Sequence, residues 1–256
     1  MLLKTPYIPT SKVTHMIVDK RAPEEFLLNL EKLRITAISS TTVPVMEAVS
    51  THPDMQITHI GGENIVCEPS CFEYYSGALT SLGFNVICGK TRLDSNYPAD
   101  IAYNVARVGS RAIHKAYSTD GVILNFFKRD DISIIDVAQG YTKCAVAIVN
   151  ENAVITADRG IAKALDGTGM EVLVISEGGV VLEGMSCGFI GGACGLAAPN
   201  LLIFCGNIEK HADYKRIKEF TSGHGVEILS LSSGSMIDIG SVIPIKQEVI
   251  DWKNSQ

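Results

Sequence analysis

This 256-residue chain has no run of lysine or arginine, no CxxC pair and no low-complexity segment. Each absence removes a class of function. Net charge is −6, and the densest charged stretch, 210–218, alternates sign along a helical pattern, so a nucleic-acid-binding face is not expected. No stretch of ~20 apolar residues free of charge occurs, so no membrane span is expected. The most apolar run, 180–199, is broken by its glycines and by Glu183. The opening residues MLLKTPYIPTSKV lack the apolar centre of a secretory signal, which points to the cytoplasm.

Cysteine is present without a disulfide or zinc pattern. The seven cysteines are odd in number, and Cys67, Cys88, Cys144 and Cys205 interrupt apolar strands. Buried free thiols in a reducing compartment are expected. Cys67 and Cys71 have CxxxC spacing with no matching pair elsewhere, so no zinc site is expected there, and no metal or cofactor is expected of the chain.

What the chain does have is a repeat and 46% apolar residues, enough for a substantial core. An apolar strand, an amphipathic helix and a second strand recur five times: Val13–Val18, Pro23–Leu33, Ile35–Ser39; Asn64–Cys67, Cys71–Leu82, Phe84–Cys88; Arg111–Ala116, Asp120–Phe127, Ile132–Val137; Ala153–Thr156, Asp158–Leu165, Glu171–Ile175; Leu201–Phe204, Ile208–Phe220, Val226–Leu231. Units two to five are preceded by a further strand: Met55–Ile60, Ile101–Ala106, Ala145–Val149 and Gly188–Gly192. Hairpin turns join it to the unit. The order is therefore ββαβ, not the alternation of a doubly wound sheet. A small sheet with one helix must be covered on its other side by neighbouring units, and five such units can close radially. The expectation is an α/β, five-bladed, pseudo-symmetric propeller forming a single domain over 1–256, with unit boundaries near residues 45, 96, 140 and 186. The longest polar connection, Thr91–Ala99, falls between units and does not divide the chain. A terminal strand is expected at Val242–Ile245.

Candidate chemistry lies where polar residues interrupt this pattern. His52-Pro53-Asp54, if extended, puts an imidazole and a carboxylate on one side, where the acid can fix the tautomer and raise basicity. The structural alternative is a turn with Asp54 capping backbone donors and His52 exposed. Asp100, Tyr103 and Asn104 surround the start of a strand and could line a channel, or form a turn after Pro98. Lys143 opens the fourth unit, either to hold an anionic ligand or as a surface lysine. Cys144 reads as a core thiol, with a nucleophile as the alternative. Gly188-Phe189-Ile190-Gly191-Gly192 lacks the order of a phosphate loop and reads as a hairpin where backbones approach closely. Asp238, with Ser235 and Ser241 nearby and Gly234 and Gly240 allowing sharp turns, points a carboxylate inward or caps a loop. His211 and His224 are expected to face solvent.

The five-unit ββαβ pattern resembles the pentein, or guanidino-group-modifying enzyme, superfamily, which includes arginine and agmatine deiminases and amidinotransferases. More closely, the sequence looks like a bacterial, mostly clostridial, family of unknown function with that fold. The stretches that carry this are His52-Pro53-Asp54-Met55-Gln56, Gln139-Gly140-Tyr141-Thr142-Lys143-Cys144, Gly188-Phe189-Ile190-Gly191-Gly192-Ala193 and Asp238-Ile239-Gly240-Ser241. The resemblance implies a nucleophilic cysteine after the last unit, assisted by a histidine and acids from other units. Agmatine deiminases have a Gly-Asn-Ile-His-Cys stretch there. This chain has Gly234-Ser235-Met236-Ile237-Asp238, and no cysteine follows Cys205. A carboxylate cannot replace the thiolate in forming a covalent amidino adduct without a different mechanism.

Three functions are weighed. One is a protein that binds a small polar molecule in a central axial pocket, with Asn104, Lys143, Asp100 and Ser241 holding the ligand. Another is an enzyme of altered chemistry using His52, Asp54 and Asp238. The third is a protein-interaction scaffold using its outer surface. The partner expected is a small-molecule ligand, with no nucleic acid and no membrane. The sequence leaves the oligomeric state open. It expects His52, Asp54, Asn104, Lys143 and Asp238 to meet at one pocket.

Overall fold

A computed structural model describes residues 1–249. Residues 250–256, the end of the expected domain, lie outside the described residues. Among the described residues the fold is mixed α/β, built from five three-stranded sheets and one two-stranded pair. In every three-stranded sheet the middle strand runs antiparallel to one neighbour and parallel to the other. The second sheet is Ile57–Gly61, Asn64–Cys67 and Asn85–Cys88. The third is Ala106–Val108, Arg111–His114 and Ser133–Asp136. The fourth is Val146–Asn150, Ala153–Thr156 and Glu171–Val174. The fifth is Cys194–Ala198, Leu201–Phe204 and Glu227–Ser230.

The first sheet is completed from the other end of the chain. Ile243–Gln247 pairs antiparallel with Val13–Val18, which pairs parallel with Thr36–Ser39. The C-terminal strand thus supplies the antiparallel partner that a preceding hairpin supplies elsewhere. It covers an edge that would otherwise offer unpaired backbone groups.

Each parallel crossover is a helix: Glu24–Lys32, Phe72–Leu79, Gly121–Arg129, Arg159–Leu165 and Tyr214–Gly223. Each buries a pair of residues four apart, on one face of the helix. These are Phe26 and Leu30, Tyr75 and Leu79, Ile123 and Phe127, Ile161 and Leu165, and Ile217 and Thr221. Asp120 and Asp158 cap their helices by accepting from the amides of Val122 and Ile161. The apolar cores cross from unit to unit. Phe26 and Leu30 pack with Ile203 and Leu231, whereas Val149 and Ile155 pack with Leu202 and Phe204.

The strand entries differ from expectation. Expected strand residues Met55, Ile101 and Ala145 lie in turns or irregular backbone ahead of the real strands. Pro53–Gln56 and Thr142–Ala145 are single helical turns, and Gly191–Ala193 is a 3-10 turn, so the strand expected at Gly188–Gly192 begins at Cys194. His52-Pro53-Asp54 is therefore not extended throughout, because Pro53 occupies the first turn of a helix, which its fixed φ suits. A parallel pair, Val180–Val181 with Met236–Ile237, was not anticipated because each strand is only two residues long.

Burial corrects four side-chain expectations. Cys88 is exposed, since it lies on an outer strand. His211 is buried, with Nδ1 accepting from the Asp213 amide at 3.0 Å. The solvent-exposed alternative for His52 and the surface alternative for Lys143 both fail, with 1% and 4% exposure. All seven cysteines are free. No helix among the described residues is long and apolar enough to cross a membrane.

Candidate functional site

The entries to all five antiparallel outer strands meet at one place. Asp54 lies in the turn before Ile57, Asn104 two residues before Ala106, and Lys143 and Cys144 in the turn before Val146. Gly191 and Gly192 precede Cys194, and the segment 238–242 precedes Ile243. Hydrogen bonds tie these entries together. Gly192 O accepts from the amides of Ile239 and Ser241 at 3.0 and 2.8 Å. Asn104 Oδ1 accepts from the Lys143 amide at 2.8 Å, and its Nδ2 donates to Cys144 Sγ at 3.2 Å.

Asp54, fully buried, is the hub. Its Oδ2 accepts from Ser241 Oγ at 2.7 Å and from Cys144 Sγ at 3.0 Å. Ser241 Oγ in turn accepts from Lys143 Nζ at 3.0 Å, and that ammonium stands 5.1 Å from the centre of the Tyr7 ring. Ser241 holds a left-handed backbone with φ of 73°, directly after Gly240 at 64°. A non-glycine residue in that region costs energy and is retained only where its surroundings impose it.

Asp238 and His52 form the second half of the site. Asp238 Oδ2 accepts from the Phe189 amide at 2.8 Å and Oδ1 from the Gly240 amide at 3.0 Å. Burial pushes this carboxyl up, against a downward pull from His52. His52 Nδ1 is 3.8 Å from Asp238 Oδ1, and its Nε2 is 3.8 Å from Asp19 Oδ2. Both separations exceed a hydrogen bond, and buried Nδ1 has no partner among the described residues. Asp54 Oδ1 is equally without one.

A cleft of about 660 Å³ opens onto His52 and Asp238. Asp19, Arg21, Glu47 and Glu183 also line it, so four acidic residues share the cleft with one arginine and one histidine. Cys144 lies beneath. Burial first, then the charges of Asp54 and Asp238, push its thiol well above the ordinary range, so it stands as a protonated donor to Asp54. One donor atom from each of His52, Cys144 and Asp238 lies within 4.8 Å of the others.

The structure brings His52, Asp54, Asn104, Lys143, Asp238 and Ser241 into one buried cluster, but not to one pocket. Of the five expected there, only His52 and Asp238 line the cleft, whereas Asp54, Asn104 and Ser241 are buried away from it and Lys143 lines a separate small cavity beside Tyr7. Asp100 is placed differently. Its Oδ2 accepts from the Tyr141 hydroxyl, beside a group of rings formed by Tyr97, Tyr141 and Phe189. Sequence reasoning missed Asp19. Its signal is a carboxylate placed immediately after the buried strand Val13–Val18. Cys144 reads chiefly as core in the sequence, because nothing there places a histidine near it.

This arrangement of small ββαβ sheets is the pentein fold, shared with amidinotransferases and with agmatine and arginine deiminases. The inosamine-phosphate amidinotransferase of Streptomyces griseus is 12% identical, with a TM-score of 0.58 over 97% of this chain and 98% of that one. The agmatine deiminase of C. jejuni with substrate bound is 9% identical, with a TM-score of 0.58 over 98% of each chain. An amidinotransferase of saxitoxin biosynthesis from Microseira wollei is 10% identical, with a TM-score of 0.52 over 92% of this chain and 96% of that one. These likenesses establish the fold. Within it, the chain belongs to a family of unknown function, DUF6873, which matches residues 17–243. No curated protein matches it in sequence.

Proposed function

We propose that the chain is one domain whose five sheets surround an axis, and that it binds a small cationic molecule of the guanidino or amidino class above His52 and Asp238. The observation that carries this reading is the cleft lining. Four acidic residues, Asp19, Glu47, Glu183 and Asp238, line it against one cationic side chain, Arg21, and the buried His52 Nδ1 beside Asp238 lacks a partner among the described residues. A planar cation with several N–H donors matches that set. The names of the fold's relatives, amidinotransferase and agmatine deiminase, point to the same ligand class. The polar, buried character of the convergence supports ligand binding over an outer-surface scaffold, since unpaired polar groups are costly to bury.

A second reading, an enzyme of altered chemistry, is favoured by the approach of Cys144 to His52 and Asp238. His52 would move the proton, and Asp54 and Asp238 would hold the cation. Against it, Asp54 and burial hold the thiol protonated.

Thermal shift of chelator-treated protein with agmatine, arginine and neutral urea compounds tests the proposal. Saturation near 100 times Kd is expected to add about 2.7 kcal/mol of stability. The cations should raise Tm and the ureas should not, and Asp238→Asn should abolish the rise. Equal shifts by cations and ureas would refute the reading.

A further inference from the structure

We propose that His52, Cys144 and Asp238 form a binding site for a divalent transition metal of the zinc class on the floor of the cleft. The proposal does not rest on the guanidino reading: a metal there would compete with an organic cation for Asp238.

Imidazole nitrogen, thiolate sulfur and carboxylate oxygen are the three donor types that zinc takes from proteins. Here they come from three different strand entries, and one donor atom of each lies within 4.8 Å of the others. A tetrahedral ion with bonds of about 2.0–2.3 Å holds its donors roughly 3.5 Å apart. The separation from His52 Nδ1 to Asp238 Oδ1 is already 3.8 Å. Small side-chain rotations would close the remainder.

An independent observation points to a ligand. His52 Nδ1 is buried, faces Asp238, and lacks a hydrogen-bond partner among the described residues. Leaving such an atom unsatisfied is costly, and a metal would satisfy it.

The surrounding groups suit metal ligands as well. Asp19 stands 3.8 Å from the other nitrogen of His52, beyond a hydrogen bond but on the side from which a carboxylate would orient a ligating histidine. The amides of Phe189 and Gly240 hold Asp238, and Asn104 Nδ2 donates to Cys144 Sγ. Glycines wall the ligands in: a Cβ on Gly240 would stand 2.2 Å from His52 Cβ, and one on Gly188 2.5 Å from Asp238 Cβ. His52 and Asp238 face the cleft, which leaves a fourth position for water or an organic ligand.

Binding involves no change of oxidation state. The Cys144 S–H bond breaks heterolytically, its proton leaves to solvent, and sulfur's electron pair bonds the metal.

The test titrates chelator-stripped full-length protein with zinc and, separately, with cobalt(II) as a spectroscopic probe. One metal per chain is expected by elemental analysis. The cobalt form should show tetrahedral ligand-field bands and a thiolate-to-cobalt charge-transfer band. Cys144→Ser should remove the charge-transfer band and weaken binding at least about 100-fold, the upper end of what loss of a mere outer-shell partner costs. Cys88→Ser, on the exposed thiol, should change neither. Should Cys144→Ser fail to fold by circular dichroism, Asp238→Asn replaces it and should show the same weakening. Absence of stoichiometric metal on the wild-type protein would overturn the proposal. So would a charge-transfer band that persists in Cys144→Ser, or unweakened binding in Asp238→Asn. A thermal shift by agmatine on the metal-free protein is read separately and decides only the guanidino reading.

Discussion

Gly192 and Asp238 are in contact so close that no side chain fits between them. A Cβ on Gly192 would stand 2.0 Å from Asp238 Oδ1 and 2.3 Å from Cγ. The same glycine's carbonyl accepts from Ile239 and Ser241, so the backbone of the fifth unit grips the segment that carries the carboxylate.

Gly192→Ala should therefore displace Asp238. Overpacking of this kind costs roughly 1–3 kcal/mol. Agmatine-dependent thermal shift should disappear along with that stability. Gly77→Ala is the control. It lies inside the helix Phe72–Leu79 with no atom within 4 Å of a new Cβ, and should stabilise by about 1 kcal/mol. Urea melts of the two variants measure the contrast.

Thiol labelling should separate the cysteines by position. Cys88 is exposed, Cys187 is half-buried, and the rest are buried. Iodoacetamide on the native protein should label Cys88 first, Cys187 more slowly, and the other five only on unfolding. A haloacetamidine directed at deiminase-type thiols should leave no stoichiometric adduct at the cleft, because no cysteine lines it and none follows Cys205 in the sequence. Peptide mass spectrometry reads both outcomes. An adduct on Cys144 with loss of a measured turnover would establish the enzymatic reading instead.

Stability should fall as pH falls from neutrality towards 4. Burial holds His59 and His114 neutral, with each pKa pushed down to about 4 from 6.5. In the unfolded chain both take up a proton near pH 6.5, while the folded chain resists until about 4. The unfolded state therefore binds more protons across that window, so its share grows as pH drops. The loss should begin near pH 6.5 and level off below about 4, reaching up to roughly 3 kcal/mol per histidine. His59→Gln should flatten part of the profile. Urea denaturation at a series of pH values checks it.

The strand that closes the first sheet should be as important as any internal one. Ile245 is fully buried beside Val13–Val18, whereas Ile134 on the outer strand of the third sheet is 39% exposed. Ile245→Ala should lose about 2–5 kcal/mol through lost burial and the cavity left behind. Ile134→Ala should cost well under half of that. Chemical denaturation of each variant gives the comparison.

Much of the architecture was legible because it depends on local periodicity. The i, i+4 burial of Phe26 with Leu30 or Ile161 with Leu165 follows from the spacing of apolar residues. Asp158 capping its helix follows from a carboxylate just ahead of a helical run. The close approach in 188–192 was readable from its glycines, since only a residue without a Cβ allows such contacts.

What only tertiary structure decided is which distant segments meet. No local signal pairs Ile243–Gln247 with Val13–Val18, because pairing between strands so far apart in sequence is chosen by tertiary packing. No local signal says that Lys143 and His52 are buried, since a short polar segment reads alike at a surface turn and at a buried strand entry. Asp54, Asn104, Cys144 and Asp238 come from four different sheets' entries, and their contacts exist only once the five sheets are assembled. The sequence by itself determined the unit and its repetition, through hydrophobic spacing that acts over a few residues. The site arises from side chains that burial and backbone hydrogen bonds force together across the whole chain.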